Sequence, residues 1–283
     1  MRGECMRFWM LAPLFSVLAA CYPAAPLQRP SVRAEVSPDV PAVGAPPIIL
    51  ESPEAPLRAP EVTTAVIQGI TFEGVAFDAR SHRLVVADQA AGPGTEFLDA
   101  ASAARSRGGL AAINAGFFTP EGAPLGLVVS QGVALGAWNS ASSLGSGLWR
   151  EDARGQMALV RREALGRSAA GNSKELIQAG PLLRENGRLV TGLESTKLSL
   201  RTLILHDGGT RWWIGRGSPC SLADLGNALA AGNPAGWPVV DALNLDGGRS
   251  SDLWASSAIA GGPLVRRTPW NRAVRNFLIL IPR

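Results

Sequence analysis

Along residues 61–283 the apolar positions fall into short alternating or continuous runs closed by glycine, asparagine or aspartate, a pattern of strands and hairpins rather than of long helices. Val62–Phe77 alternates loosely. Beyond the polar turn Ala79-Arg80-Ser81-His82 comes the apolar run Leu84-Val85-Val86-Ala87, which predicts two strands joined as a hairpin. Leu125–Ser130 and Val133–Trp138 flank Gln131-Gly132, Leu176–Leu183 and Arg188–Leu193 flank Glu185-Asn186-Gly187, and Leu198–His206 and Arg211–Ile214 flank Asp207-Gly208-Gly209. Each pair reads as a hairpin, and Asn-Gly is the strongest short-range signal for one. Two helices are expected: one starts at Thr95, runs through Ala101 and ends at Gly108-Gly109, and the other is Ser221–Ala231, ended by Gly232. Each precedes an apolar strand, Leu110–Ile113 or Val239–Leu245, that ends in polar and glycine residues. Ala273–Ile281 closes the chain as a last buried strand. Hairpins outnumber helices, so the expected class is α+β: a mixed, largely antiparallel sheet core with a few packed helices, in a single domain.

The first 60 residues have a different pattern. Arg2 and Arg7 precede an apolar run from Phe8 to Ala20, too short to span a bilayer and typical of an export signal. Leu18-Ala19-Ala20-Cys21 resembles the lipobox of bacterial lipoproteins, which implies cleavage after residue 20 and lipidation of Cys21. An acylated cysteine of that kind anchors a protein stably to a membrane. Tyr22, rather than aspartate, follows the cysteine, and by resemblance to proteobacterial sorting this implies the outer membrane, with the protein periplasmic or at the cell surface. Residues 22–60 hold ten of the 21 prolines and no apolar period, so 21–60 is expected to be an extended, semi-rigid tether. The domain is then 61–283, long enough for a substantial core.

Charge and cysteine usage narrow the chemistry. Loss of residues 1–20 leaves 25 basic and 22 acidic residues, a net of +3. That excess gives no argument for nucleic acid and is compatible with an anionic substrate. Besides Cys21, the mature chain has only Cys220, so neither a disulfide framework nor a cysteine-based metal site is available.

The stretch Ala242-Leu243-Asn244-Leu245-Asp246-Gly247-Gly248-Arg249-Ser250-Ser251-Asp252 has the form of a strand end opening into a site. Its glycines allow a positive φ or close backbone approach, and Asp246 and Arg249 leave the same turn. Three further segments accompany it in order: Ile113-Asn114-Ala115-Gly116-Phe117-Phe118, Gln178-Ala179-Gly180-Pro181-Leu182-Leu183 followed by Gly187, and Arg272-Ala273-Val274-Arg275-Asn276. Together the four resemble the signature blocks of the phosphodiester glycosidase family and span roughly residues 66–282. Arg201-Thr202 also matches, at the start of the strand before a polar hairpin. The Asn-Ala-Gly-Phe-Phe form is nearer to the family's bacterial exported branch than to the Asn-Gly-Gly form of its animal enzyme, so the resemblance does not fix the sugar.

What the resemblance implies is cleavage of the anomeric bond of a sugar-1-phosphodiester in envelope or exopolysaccharide material. Such a reaction passes through an oxocarbenium-like transition state and releases a phosphomonoester, itself a weak base. The site must therefore supply charge compensation at phosphate and a carboxylate at the sugar. Asp246 is the candidate carboxylate, as base or nucleophile. Arg249, Arg201 and Arg275 are candidates to clamp the phosphate through bidentate guanidinium contacts. Asn114 is expected to hydrogen-bond a sugar hydroxyl or N-acetyl group, with Asn276 reaching the same cleft. Gly116, Gly247 and Gly248 are expected to shape the loops against substrate. Phe117 and Phe118 read as core with one face toward a sugar pocket, and Trp254 as a residue able to stack on a sugar ring. The alternative is a non-catalytic binder of phosphorylated envelope glycans, and a third reading is a phosphodiesterase that cuts the P–O bond.

No cofactor is required by this reading. Asn244-Leu245-Asp246-Gly247 imitates part of a calcium loop, but the remaining ligand positions would fall on Ala242 and Leu253. An EF-hand is excluded, and a non-EF calcium or magnesium site using Asp241, Asp246 or Asp252 stays open as an alternative. His82 and His206 each lie beside a predicted turn, and no Gly-x-Ser-x-Gly elbow, P-loop or dinucleotide fingerprint is present. Cys220 precedes a helix and reads as a core or capping residue.

Overall fold

The computed structural model describes residues 56–283. The export signal, Cys21 and all but the last five residues of the expected tether lie outside that span. Pro56–Pro60 carries no regular secondary structure, and the first strand opens at Glu61.

Three antiparallel sheets make up the fold. The largest has seven strands, in the order Glu61–Ile67, Ile70–Asp78, Arg211–Cys220, Ser199–His206, Asp241–Asn244, Leu182–Glu185 and Arg188–Leu189. The second runs Leu264–Arg267, Asp252–Ala255, Ala111–Asn114, Asn276–Pro282 and His82–Asp88. The third runs Val133–Leu135, Val128–Ser130, Glu175–Ala179, Gly147–Glu151 and Met157–Arg161. One core receives side chains from all three: Val75, Ile204 and Leu243 from the first, Leu84, Ile113 and Leu278 from the second, and Val128, Trp149 and Ile177 from the third. Period-two alternation sends the intervening residues to a second apolar layer. Leu203 and Trp213 meet the helix Leu222–Ala231, and Ala112 and Phe277 meet the helix Ala100–Ser106. Strands buried on both faces explain why the runs read as continuously apolar.

The expected α+β class holds, and three element expectations change. The hairpin expected between Val62–Phe77 and Leu84–Ala87 lies instead within the first segment. Glu61–Ile67 pairs with Ile70–Asp78 around Gln68 and Gly69, both at positive φ, while His82–Asp88 joins the second sheet against Asn276–Pro282. The helix expected from Thr95 starts at Ala100. Asp99 caps it by accepting from the Ser102 N–H while Ser102 Oγ accepts from the Asp99 N–H, and Thr95 is held in a preceding turn by its hydroxyl donating to the Gly92 carbonyl. The run Leu176–Leu183 is divided at Gly180-Pro181, where the chain leaves the third sheet for the first. The strands Gly147–Glu151, Met157–Arg161, Asp252–Ala255 and Leu264–Arg267 have no counterpart among the predicted elements.

Side chains cap the open edge of His82–Asp88. Glu175 accepts from the Val86 N–H at 2.9 Å and the Gln131 N–H at 3.3 Å, and Ser130 Oγ donates to the Val86 carbonyl. At Val86 the backbone groups that would attract another strand are thereby satisfied. Glu175 is 3% exposed and pairs in register with the equally buried Glu151, whose partner is Arg83 at 2.9 Å. Burial pushes the Glu175 carboxyl from 4.5 up to about 7. The folded state thus holds this proton more tightly than the unfolded chain. The resulting loss of stability begins near the ordinary glutamate value and is complete once pH passes about 7. Across that window the loss amounts to about 3 kcal/mol. Unfolding free energies measured from pH 4 to 8 should fall with pH in the wild type, and the difference from Glu175→Gln should follow this curve.

Candidate active site

The site forms where the three sheets meet. After Asp241–Asn244 the chain passes from the first sheet to the second: the Leu245 N–H donates to the Thr202 carbonyl at 2.8 Å in the first, and the Asp246 N–H to the Ala115 carbonyl at 3.0 Å beyond the end of Ala111–Asn114 in the second. Asn114 locks this crossing. Its Nδ2 donates to the Asp246 carbonyl at 2.6 Å, and its Oδ1 accepts from Thr202 Oγ1 at 2.8 Å and from the Asp252 N–H at 3.0 Å. Asn114 is fully buried and both halves of its amide are occupied by protein. The structure therefore gives it the task of positioning Asp246 instead of the sugar contact expected from sequence.

Asp246 projects into a cleft of about 270 Å³ whose lining includes Arg201, Asn244, Gly247, Phe117, Ser143, Glu194 and Lys197. Asp246 is 7% exposed. Its Oδ1 accepts from the Gly247 N–H at 2.9 Å, and its Oδ2 faces Arg272 Nη2 at 3.4 Å. Burial raises its affinity for a proton, and hydrogen bonding from Ser250 and the charge of Arg272 oppose that shift only in part. Gly247 has no room for a side chain, because a Cβ would lie 2.4 Å from the Leu200 carbonyl oxygen, and Gly248 takes φ +61°.

The candidate arginines separate. Arg201 lines the cleft, fixed by Nε donating to the Cys220 carbonyl at 2.9 Å and Nη2 to the Lys197 carbonyl at 2.7 Å. Arg249 is exposed, and its Nε donates to the Trp270 carbonyl at 3.0 Å. Arg275 is turned to Asp88 in a buried bidentate pair, with Nε to Oδ1 at 3.0 Å and Nη2 to Oδ2 at 2.8 Å, and Nη1 donates to the Gly122 carbonyl. Asn276 accepts from the Gly116 N–H at 2.7 Å. Arg275 and Asn276 thus fix the loop after Asn114, and neither side chain lines the cleft. The arginine beside Asp246 is Arg272, which is not among the arginines expected at the phosphate although it opens the last signature block. Its guanidinium lies over the Phe118 ring, 4.4 Å from the centroid, and its Nε donates to Ser250 Oγ. Phe117 lines the cleft while Phe118 supports Arg272.

Two amides complete the frame. Gln178 uses all its capacity, accepting from the Leu127 and Asn139 N–H groups and donating to the Asn139 and Gly145 carbonyls, which fixes the loop carrying Ser143 and Leu144 to the cleft. Asn244 donates to the Gly180 carbonyl, and its buried Oδ1 has no hydrogen-bond partner. An asparagine in an otherwise apolar strand was the available signal for it. Trp254 packs beside the helix Ala100–Ser106 with Arg105 over its ring, outside the cleft lining. Burial pushes the Cys220 thiol up to about 11 and keeps it protonated. Asp241 accepts from the Asn186 N–H and faces His206, and Asp252 accepts from the Ala100 N–H and pairs with Arg267, so these two and Asp246 serve different partners. Among the described residues no three His, Cys, Asp or Glu side chains are grouped to hold a cation.

Asn114→Ala would strand three buried polar groups, each costing about 1–3 kcal/mol. Even if water recovers part of that, the melting temperature should drop by roughly 10 °C, whereas Arg249→Ala should leave it within about 2 °C. Calorimetry on the two variants checks this contrast.

The phosphodiester glycosidase family model matches residues 107–281. Comparison with curated protein sequences gives no match. Among solved structures the chain is similar to the zebrafish N-acetylglucosamine-1-phosphodiester alpha-N-acetylglucosaminidase catalytic domain, described as auto-inhibited by its pro-peptide, at 17% identity over 82% of this chain and 86% of that one, TM-score 0.54. It is also similar to a hypothetical protein from Synechocystis, at 20% identity over 80% of this chain and 62% of that one, TM-score 0.55. A protein from Burkholderia pseudomallei described as exported matches at 15% identity over 75% and 74% of the two chains, TM-score 0.50. At such identities these structures establish the shared fold. The family match spans more than half of the chain and contains Asn114, Gln178, Arg201, Asp246 and Arg272, so this chain belongs to the phosphodiester glycosidase family.

Proposed function

We propose that this protein is an exported, lipid-anchored hydrolase that cleaves the anomeric C–O bond of a sugar-1-phosphodiester in cell-envelope or exopolysaccharide material. The observation that carries the reading is Asp246, a buried carboxyl at the wall of a cleft with Arg201 in the same lining and Arg272 beside it. Family membership supports the reaction class. The two guanidiniums supply the positive charge that a phosphodiester and its departing phosphomonoester demand. Sequence alone left Asp246 as base or nucleophile. Its burial favours the protonated form, which suits proton donation to the bridging phosphate oxygen as the C–O bond breaks. Asn244 lines the cleft with its Oδ1 buried and unpartnered, so the sugar contact expected of Asn114 is not transferred to it. Lipidation at Cys21 rests on the Leu-Ala-Ala-Cys sequence and the apolar run before it.

Incubating the purified protein with a panel of sugar-1-phosphate methyl esters should release free sugar. Asp246→Asn should lower the rate about a hundredfold or more while the protein remains folded. Binding of the esters without release by either protein would instead identify a phosphorylated-glycan binder, and 18O from solvent in the phosphate product would identify P–O cleavage. In a Gram-negative host, metabolic labelling with an alkyne fatty acid should mark the wild type and not Cys21→Ser, and the wild type should sediment with outer membranes.

A further inference from the structure

A carboxyl that protonates the leaving group needs a partner to activate water or to meet the developing cation. Of the residues lining the cleft, only Asp246 and Glu194 carry carboxyl groups. Glu194 lies between the strands Arg188–Leu189 and Ser199–His206, and its place is fixed in two ways. Its carbonyl accepts from the Ala223 N–H at 2.9 Å, tying the loop to the helix Leu222–Ala231. Its Oε1 accepts from the Thr196 N–H at 2.5 Å, Thr196 Oγ1 at 2.6 Å and the Lys197 N–H at 2.6 Å. Oε2 has Arg201 Nη2 at 3.9 Å, beyond hydrogen-bonding distance, so it keeps its lone pairs for another donor.

Building on the glycosidase reading, we infer that Glu194 is the second catalytic carboxylate, the base that activates the attacking water. Glu194 Oε2 takes a proton from water while the water oxygen bonds to the anomeric carbon. The bond from that carbon to the phosphate oxygen breaks with its electron pair going to the oxygen, and the oxygen takes the proton of Asp246. Free sugar and a phosphomonoester leave, Glu194 ends protonated and Asp246 ionised, and proton exchange with solvent restores both. The environments of the two groups fit these roles. Hydrogen bonds from the Thr196 hydroxyl and the Lys197 and Thr196 N–H groups hold Glu194 below the usual glutamate range, while burial moves Asp246 upward. Two carboxyls driven apart in one cleft form an acid–base pair.

The test uses the full-length mature protein and whichever sugar-1-phosphate methyl ester the wild type turns over best. Glu194→Gln keeps the Oε1 acceptor of the turn and removes the base. It should lower kcat by about a hundredfold or more with KM within about threefold. The acid limb of the wild-type pH profile, set by Glu194, should vanish in this variant, while the alkaline limb, set by Asp246, should remain. Independently of any variant, water activated by a base attacks opposite the leaving group, so NMR of fresh wild-type product should show the inverted anomer. Glu194→Gln activity within about threefold of wild type, persistence of its acid limb, or a retained anomer would each overturn the assignment. If Asp246→Asn is inactive in those circumstances, the glycosidase reading survives without Glu194. If the wild type releases no sugar, both fall.

Discussion

Buried side-chain amides hold this site together, and Asn114 is the one on which the rest depends. A strand that leaves one sheet and enters another must give up backbone pairing in the interior, where an unmet N–H or C=O is costly. At Asp246 the deficit is met by a single amide that serves the Asp246 carbonyl, the Asp252 N–H and the Thr202 hydroxyl. The direction in which the Asp246 carboxyl leaves the backbone follows from that arrangement. The same device recurs in each signature block. Gln178 fixes the loop of Ser143 and Leu144, Asn244 holds the strand change at Gly180, and Asn276 holds Gly116. All four amides are nearly inaccessible to solvent. Residues that look like substrate ligands in the sequence are therefore largely the joints between sheets.

The electrostatics of the cleft follow from which charges those joints leave unspent. Arg275 is consumed by Asp88, and Arg249 faces outward to a carbonyl. Arg272 rests on Phe118 with its guanidinium near Asp246, while Arg201 is hydrogen-bonded to two neutral carbonyls and has the Glu194 carboxylate at 3.9 Å. Burial raises the proton affinity of the Asp246 carboxyl, which lies beside one of these cations in a cleft lined by the other. The carboxylate on the neighbouring loop, bonded three times through one oxygen, has the opposite tendency. The opposite shifts of these two carboxyls arise from burial and hydrogen bonding rather than from residue type.

The outer edges of the fold follow a related economy. Where His82–Asp88 lacks a backbone partner, Glu175 and Ser130 from the third sheet supply an acceptor and a donor. The edge is blocked at Val86 without a further strand, by a carboxyl whose proton affinity burial raises to about 7. This contact also ties the second sheet to the third.

The fold class, the hairpins at Gln131-Gly132, Asn186-Gly187 and Asp207-Gly208-Gly209, and the helix capped at Ser221 were legible in the sequence. These features rest on local physics: side-chain periodicity, turns that need positive φ, and caps that satisfy the first N–H groups of a helix. Tertiary structure decided which sheet each strand joins, as with His82–Asp88 and the division at Gly180-Pro181, because pairing partners are chosen by burial of both faces over long sequence separations. It also decided which polar residues are free. Asn114 and Asn244 are both asparagines at strand ends, and Arg249, Arg272 and Arg275 are arginines close to the signature blocks. Only the arrangement of donors and acceptors around each one turns Asn114 and Arg275 into structural ties, leaves Asn244 with an unpartnered Oδ1 and sets Arg272 beside Asp246.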